Sequence, residues 1–207
     1  MADADEWEAV RGALRSAGVD PTDLGRFVNR PNPDLLGLEP DTFDAKAAYP
    51  VPLEWLPRVE SPSLRSTIAA RLRAAGKSAV TARALITAYR AETNEDARWQ
   101  LGDAIARTAP AAELDEIVEL AADPRGGTGR QMLVYALWRV KTDRARSLIL
   151  ELLRDPDVCV HAMHSLRRAF GNEEARRRIE PLLEDENERV RDVARHTLTK
   201  IDRALAR

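Results

Sequence analysis

The sequence predicts an all-α fold made of stacked helix–turn–helix repeats. Three observations predict it: five similar segments recur along the chain, their apolar residues follow helical spacing, and proline or glycine separates neighbouring segments. No stretch shows the alternation of apolar and polar residues that is typical of a β-strand. We therefore expect helices to pack against helices throughout.

Five segments carry the repeat, and each predicts the second helix of a helix pair. Their aligned first positions lie 29 to 33 residues apart, at Arg65, Arg98, Arg130, Cys159 and Arg191. The third and the seventh residue after each first position are apolar, and the sixth is small in four of the five segments. Residues with this spacing share one face of an α-helix, so each segment is expected to bury that face.

Shorter amphipathic stretches predict the first helices of the pairs. They span residues 80–89, 113–122, 144–153 and 174–183, and an earlier short helix is expected within residues 49–57. The turns between helices carry residues that interrupt helices, namely Gly76, Pro110, Pro124, Pro156 and Gly171. Together the two kinds of helix predict about five pairs.

The N-terminal part of the chain differs from the repeats. Residues 1–44 predict an acidic helical cap followed by a Pro-rich strap, and residues 45–207 predict the repeat array. Within the cap we expect one amphipathic helix over residues 5–18 and a second, short one over residues 20–29. Because an end repeat would otherwise expose an apolar face, the cap is expected to cover the first repeat.

The C-terminal segment DENERVRDVARHTLTKI and its shifted copies resemble HEAT repeats. PLEWLPRV, RWQLGDAIA, GRQMLVYALWRVK and ELLRDPDVCVHAMHSL resemble, in particular, a group of small bacterial HEAT-domain proteins. The resemblance covers residue 49 to the end of the chain. It implies a HEAT-like α-solenoid of about five helix–turn–helix repeats, with the N-terminal helical cap at one end and a concave inner groove.

The same resemblance implies a structural ladder of arginines. Its members would be Arg65, Arg98, Arg130 and Arg191, each bonded to an aspartate or a carbonyl oxygen in a turn. Asp123, Asp155 and Asp185 stand in suitable turns. Cys159 takes the arginine position in the fourth segment, so we expect a looser contact between the third and fourth segments.

The candidate binding residues follow from the helical register. The first, fifth and eighth residues after each aligned position lie opposite the apolar stripe, and the resemblance places them in the groove. The partner-binding candidates are Trp99, Asp103, Gln131, Tyr135, Trp138, His164, Arg167 and His196. Trp, Tyr and Arg dominate binding hot spots, although Trp99 and Trp138 could instead cover gaps between repeats.

These residues favour a non-enzymatic adaptor or scaffold that binds a protein or peptide. We find no catalytic residues and no cofactor motif, and the glycine-rich stretch DPRGGTGRQ lacks the Gly-Lys-Ser/Thr ending of a phosphate loop. We expect it to form a flexible turn. His164 and His196 share a register, but no Cys or carboxylate completes a metal site, so we expect no metal.

A nucleic-acid-binding or DNA-repair protein is the alternative. Trp99 and Asp103 are one helical turn apart, which is similar to the Trp and Asp pair of the HEAT-like alkylpurine DNA glycosylases. The resemblance would make Asp103 the carboxylate that stabilises a developing sugar cation. The net charge of −2 disfavours it, because binding to a phosphate backbone calls for many cationic side chains.

Composition predicts a cytoplasmic protein that does not enter a membrane. There is one cysteine, Cys159, which fits a reducing compartment. The N-terminus is acidic and lacks the layout of a signal peptide, and no apolar run approaches the roughly 18 residues that a spanning helix needs.

Overall fold

A computed structural model describes residues 2–18, 49–73 and 76–206 of the chain. Within these ranges the chain forms eleven α-helices and no strand, as the sequence predicts. The helices are α1 (Ala2–Ser16), α2 (Pro50–Trp55), α3 (Pro62–Leu72), α4 (Ala79–Ala91), α5 (Glu95–Thr108), α6 (Leu114–Ala122), α7 (Gln131–Ala136), α8 (Asp143–Glu151), α9 (Cys159–Phe170), α10 (Asn172–Ile179) and α11 (Glu188–Leu205). None of the helices in these ranges combines the length and the apolar character needed to cross a bilayer.

Short 3₁₀ segments lie between several of the α-helices. They span Ala111–Glu113, Pro124–Arg130, Leu137–Arg139, Leu152–Arg154 and Glu180–Glu184. The second helix of the third pair, predicted as one continuous helix, is the six-residue α7 followed by the segment Leu137–Arg139. Such tight turns are frequent at helix ends, where they satisfy backbone groups that the α-helix leaves unpaired.

The chain divides into two compact units, residues 1–111 and 112–207. In the first unit, α3 packs on α5, α4 on α5 and α2 on α3. The apolar stripe of the sequence forms the core, since Ile68, Leu72, Leu101 and Ile105 have no exposed surface. Second helices therefore contact each other, and the first helix of each pair packs on its partner.

Helix α1 packs on the beginning of the first unit, where it contacts α2 and α3. Val10 and Leu14 are buried, and the Glu6 carboxylate accepts hydrogen bonds of 2.9 Å from the backbone N–H groups of Glu60 and Ser61. These N–H groups precede α3, where a carboxylate also interacts favourably with the helix dipole. The predicted second cap helix, the Pro-rich strap and the boundary after residue 44 lie outside the described residues.

The second unit repeats the packing of second helices on each other. Helix α7 packs on α9 and α9 on α11, while α6, α8 and α10 each pack on the second helix of their own pair. Ser165 of α9 is fully buried, and its Oγ lies 2.6 Å from the carbonyl oxygen of Val134 and 2.9 Å from that of Tyr135, to which it donates. The small residues in the repeat thus mark places where one helix approaches the backbone of another.

The glycine-rich stretch is more compact than the flexible turn that its composition predicts. Residues Pro124–Arg130 are wound as 3₁₀ turns with a break at Gly127, where φ is +49°. Gly126 and Gly129 are buried, and the Asp123 carboxylate accepts the N–H of Arg125 at 3.0 Å. A positive φ favours glycine, so Gly127 provides the change of direction, and the small neighbours allow close packing.

Arg65, the first member of the predicted ladder, bridges two successive turns. Its guanidinium donates to the carboxylate of Glu92 and to the carbonyl oxygen of Val59. Burial by itself would raise the pKa of Glu92, but the N–H of Asn94 and the Arg65 guanidinium outweigh it, so that this pKa lies below its ordinary value. Glu92 thus accepts the hydrogen bond from the ladder arginine that the HEAT resemblance assigns to an aspartate in the turn.

Arg130 forms the same kind of bridge in the second unit, at full burial. Its side chain is 2% exposed, and it donates to the carboxylate of Asp155 and, at 3.1 Å, to the carbonyl oxygen of Ala121. One arginine thereby ties the C-terminal end of α6 to the turn before α9. The planar guanidinium can serve both acceptors at once, which the ammonium group of lysine would do less well.

Arg98 and Arg191 bond to backbone carbonyl groups, those of Glu92 and of Asp185 and Glu186 respectively. Cys159 leaves its repeat without the aligned arginine, and Arg154 donates to the Asp185 carboxylate at 3.1 Å. Arg154, five residues before Cys159, thus bonds to the turn that contains Asp185. The aligned positions of the repeat do not predict this contact.

Candidate functional site

Exposed aromatic and basic side chains gather where α7 packs on α9. We name this surface the α7/α9 face and define it by Tyr135, Trp138, Lys141, Val160, His161, His164 and Arg168. Tyr135 is 37% exposed and Val160 44%, and both are among the few large hydrophobic side chains that are exposed in the described ranges. The face belongs to the second unit alone.

Tyr135 lies flat on an imidazole ring. Its ring stacks on that of His164, with centroids 4.1 Å apart and planes inclined by 16°. His161 meets Tyr135 edge-on, at 6.4 Å and 72°. Because His164 and His161 are themselves partly buried in α9, Tyr135 is held as a preformed flat surface rather than as a freely rotating side chain.

Trp138 is half-buried between two cations. The guanidinium carbon of Arg168 lies 4.1 Å from the indole ring centroid, and Nζ of Lys141 lies 5.6 Å from it. Lys141 also donates to the carbonyl oxygen of Trp138 at 3.0 Å. Cations attract the negative face of an aromatic ring, so this arrangement fixes two positive charges beside an indole.

The pKa values of both histidines of α9 are lowered. Burial, together with the charges of His164 and Arg189, lowers the pKa of His161 to about 4. Burial and then the charges of Arg168, Arg167 and Lys200 also lower the pKa of His164. Both shifts indicate an apolar site with positive charge around it.

The other predicted residues of the second unit lie beside this face or on the next helix. Gln131 donates to the carbonyl oxygen of Asp157 at 2.8 Å, and Arg167 donates to the Asn172 side chain at 3.2 Å. His196 is on α11, exposed, with Nδ1 2.9 Å from the carbonyl oxygen of Asp192. Trp99 is half-buried on α5 of the first unit. Tyr135, Trp138 and His164 are therefore the predicted residues that lie together.

The prediction that Asp103 lines the binding groove is not met, because the residue does not line an open surface. The residue is 2% exposed, and its carboxylate accepts hydrogen bonds from Arg73, the residue that follows α3, at 2.9 Å and from Arg107, one turn further along α5, at 3.0 Å. The two guanidinium groups neutralise the carboxylate and cover it. This arrangement suits a structural tie between α3 and α5 better than a carboxylate that stabilises a substrate cation.

We expect Asp103→Asn to destabilise the protein by about 1.5 to 3 kcal/mol, the range for hydrogen bonds to charged groups. The amide keeps the shape of the side chain but loses both ion pairs. Urea unfolding followed by circular dichroism measures the change. Asp192→Asn is the control, because the exposed Asp192–Arg195 pair should contribute about 0.5 kcal/mol or less. Equal losses in the two variants would contradict a structural role for the buried pair.

Comparisons with known proteins do not identify a function for this face. No family model, curated protein or solved structure matches the chain. In the described ranges, no three His, Cys, Asp or Glu side chains gather where they could hold a metal ion. The lone thiol of Cys159 is buried, and burial raises its pKa, which makes it less reactive. The chemistry of the α7/α9 face therefore has to be argued from its own residues.

Arg168, Lys141 and His161 belong to this site but were not among the predicted residues. Arg168 is the ninth residue after Cys159, one beyond the eighth, which was the last position assigned to the groove. Lys141 lies in the turn after Trp138. Helical spacing therefore assigns neither residue to the groove. His161 lies three residues before His164, and this spacing on one helix is the signal that could have placed it beside the stack.

Proposed function

We propose that the chain is a non-enzymatic adaptor that binds a protein or peptide partner on the α7/α9 face. The observation that carries the proposal is the exposed Tyr135 next to the half-buried Trp138, each held by a side chain of the neighbouring helix. Rigid aromatic side chains lose little conformational entropy on binding and supply large contact areas, which is why they dominate hot spots.

The proposal includes a HEAT-like α-solenoid of about five repeats as the scaffold. Within each unit, second helices pack on second helices, and turn residues accept bonds from ladder arginines such as Arg65 and Arg130. In a repeat stack of this kind each element contacts its neighbours, so that a line of side chains is displayed on one surface. A cytoplasmic setting fits a buried free cysteine.

Site-specific photocross-linking in the source cells tests the proposal. The photoreactive amino acid p-benzoylphenylalanine replaces Val160, which is 44% exposed on the α7/α9 face, or Leu205, which is 45% exposed at the end of α11. We expect a discrete cross-linked partner from position 160 and none from position 205. Adding Tyr135→Ala should remove the cross-link. Equal cross-linking at both positions, or an unchanged pattern with Tyr135→Ala, would reject the α7/α9 face as the binding site.

A further inference from the structure

We propose that the partner's binding segment is an acidic peptide with a bulky apolar side chain, whose carboxylates bind Arg168 and Lys141 beside Trp138. The inference rests on the proposed function and specifies the chemistry of the ligand. It follows from the charge of the α7/α9 face and from the arrangement of its aromatic rings.

The segments that form the face contain no acidic residue. Residues 124–142 include Arg125, Arg130, Arg139 and Lys141, residues 158–172 include Arg167 and Arg168, and neither stretch contains Asp or Glu. Elsewhere in the second unit acidic and basic residues alternate closely, as in α10 and α11. A surface that lacks acids over two adjacent helices attracts a negatively charged partner and repels a positively charged one.

The cations at Trp138 are also not neutralised from within the described part of the protein. Neither Arg168 nor Lys141 forms an ion pair with a carboxylate of the described residues, whereas Arg125 and Arg130 are paired with Asp123 and Asp155. Burial, and then the charges of Arg168, Arg167 and Lys200, lower the pKa of His164, which agrees with a site that has cations around it. A carboxylate that binds here would form ion pairs without displacing existing ones.

The rings next to these cations favour an apolar side chain between the acidic ones. Tyr135 and Val160 are exposed, and the Tyr135 ring is held against His164 at 4.1 Å. A leucine or an aromatic residue of the partner could pack on this flat surface while flanking carboxylates reach Arg168 and Lys141. Burial of such a side chain would add hydrophobic stabilisation to the ion pairs.

A peptide explains the face better than a nucleic acid does. Proteins that bind a phosphate backbone typically make about 6 to 10 phosphate contacts, and the unpaired cations of the face fall well short of that number. Arg130, the most buried arginine of the ladder, forms an ion pair with Asp155, so its charge is not available to a ligand. Single-stranded DNA is nevertheless the competing ligand in the test.

Titration of the ¹⁵N-labelled full-length protein tests the inference, with the indole N–H signal of Trp138 as the readout. Trp138→Phe identifies this signal among the four tryptophans of the chain. The probes are a 12-residue peptide with six Glu around two Leu, the same peptide with Gln in place of every Glu, and a 12-nucleotide oligothymidylate.

We expect the Glu peptide to shift the Trp138 signal with an affinity at least about tenfold higher than that of the Gln peptide, because the ion pairs need charge. Arg168→Glu should weaken the binding of the Glu peptide by roughly tenfold or more, and raised salt should weaken it further. Arg203→Glu changes the net charge equally, on an exposed residue near the end of α11, and should have little effect.

Equal binding of the Glu and Gln peptides, or equal effects of the two charge reversals, would overturn the inference. Tighter binding of the oligothymidylate, lost in Arg168→Glu, would overturn it in favour of a nucleic acid. If no probe shifts Trp138 while cross-linking at position 160 still depends on Tyr135, the acidic ligand class is wrong but the proposed function stands. If that cross-linking fails, the proposed function itself is wrong.

Discussion

Arg130→Ala is expected to lower the free energy of unfolding by about 3 kcal/mol or more, a large share of the stability of a small protein. The side chain is 2% exposed and donates to the Asp155 carboxylate and to the Ala121 carbonyl oxygen. The truncation leaves a cavity and two acceptors that lose their donor. Urea unfolding followed by circular dichroism measures the loss.

Arg125→Ala is the matched control, since Arg125 lies in the same turn and is also paired with an aspartate. That side chain is 88% exposed, and its pair with Asp123 is formed in water, so we expect no measurable change in stability. If the two variants were equally stable, the ladder would not contribute to the stability of the second unit.

A double-mutant cycle separates the ion pair from the packing of Arg130. Asp155→Asn leaves a buried guanidinium without its charge partner and should therefore also destabilise the protein strongly. If the two side chains act as a pair, the loss in Arg130→Ala/Asp155→Asn is smaller than the sum of the losses in the single variants. Additive losses would show that Arg130 stabilises the turn through Ala121 and its own packing alone.

The places of the helices could be predicted from the sequence because they depend on local signals. Ser78 and Thr142 precede helices α4 and α8, and in the structure the side chain of each accepts a backbone N–H three residues on, as N-cap residues do. Apolar periodicity located buried residues in each second helix, namely Ile68, Leu101, Leu133, Leu166 and Ala194, although Leu198 in the last one is only half-buried. Helix α10 shows the limit of such signals, because its cap position holds Gly171, with φ of +83°, and no side chain accepts a hydrogen bond there.

The candidate site could be predicted only in part, because long side chains from neighbouring positions determine which of its residues are exposed. The helical spacing assigns Asp103 to the groove. In the structure, Arg73 at the end of α3 and Arg107 form ion pairs with its carboxylate and bury it. Periodicity assigns a side chain to a helix face, but it does not tell which arginine will reach it. The same limit explains why Arg168, which stacks on Trp138, was not predicted.

Stability should also fall by about 1 to 2 kcal/mol between pH 7 and pH 5 because of His161. The pKa of this residue is about 4 in the folded protein, against an ordinary value of 6.5. Between these two values the unfolded chain binds a proton that the folded protein excludes, so acid favours unfolding. The effect is present below pH 6.5 and grows until His161 is protonated in the folded state as well.

Urea unfolding at pH 7 and pH 5 measures this dependence, in a range above the ordinary pKa of about 4.3 of a glutamate, where carboxylates contribute little. His161→Gln should reduce the loss of stability on acidification, and His161→Gln/His164→Gln should reduce it further, since the pKa of His164 is lowered in the same direction. His196→Gln, at an exposed position of α11, should leave the loss unchanged. A pH dependence that survives in the double variant would mean that groups other than these two histidines cause it.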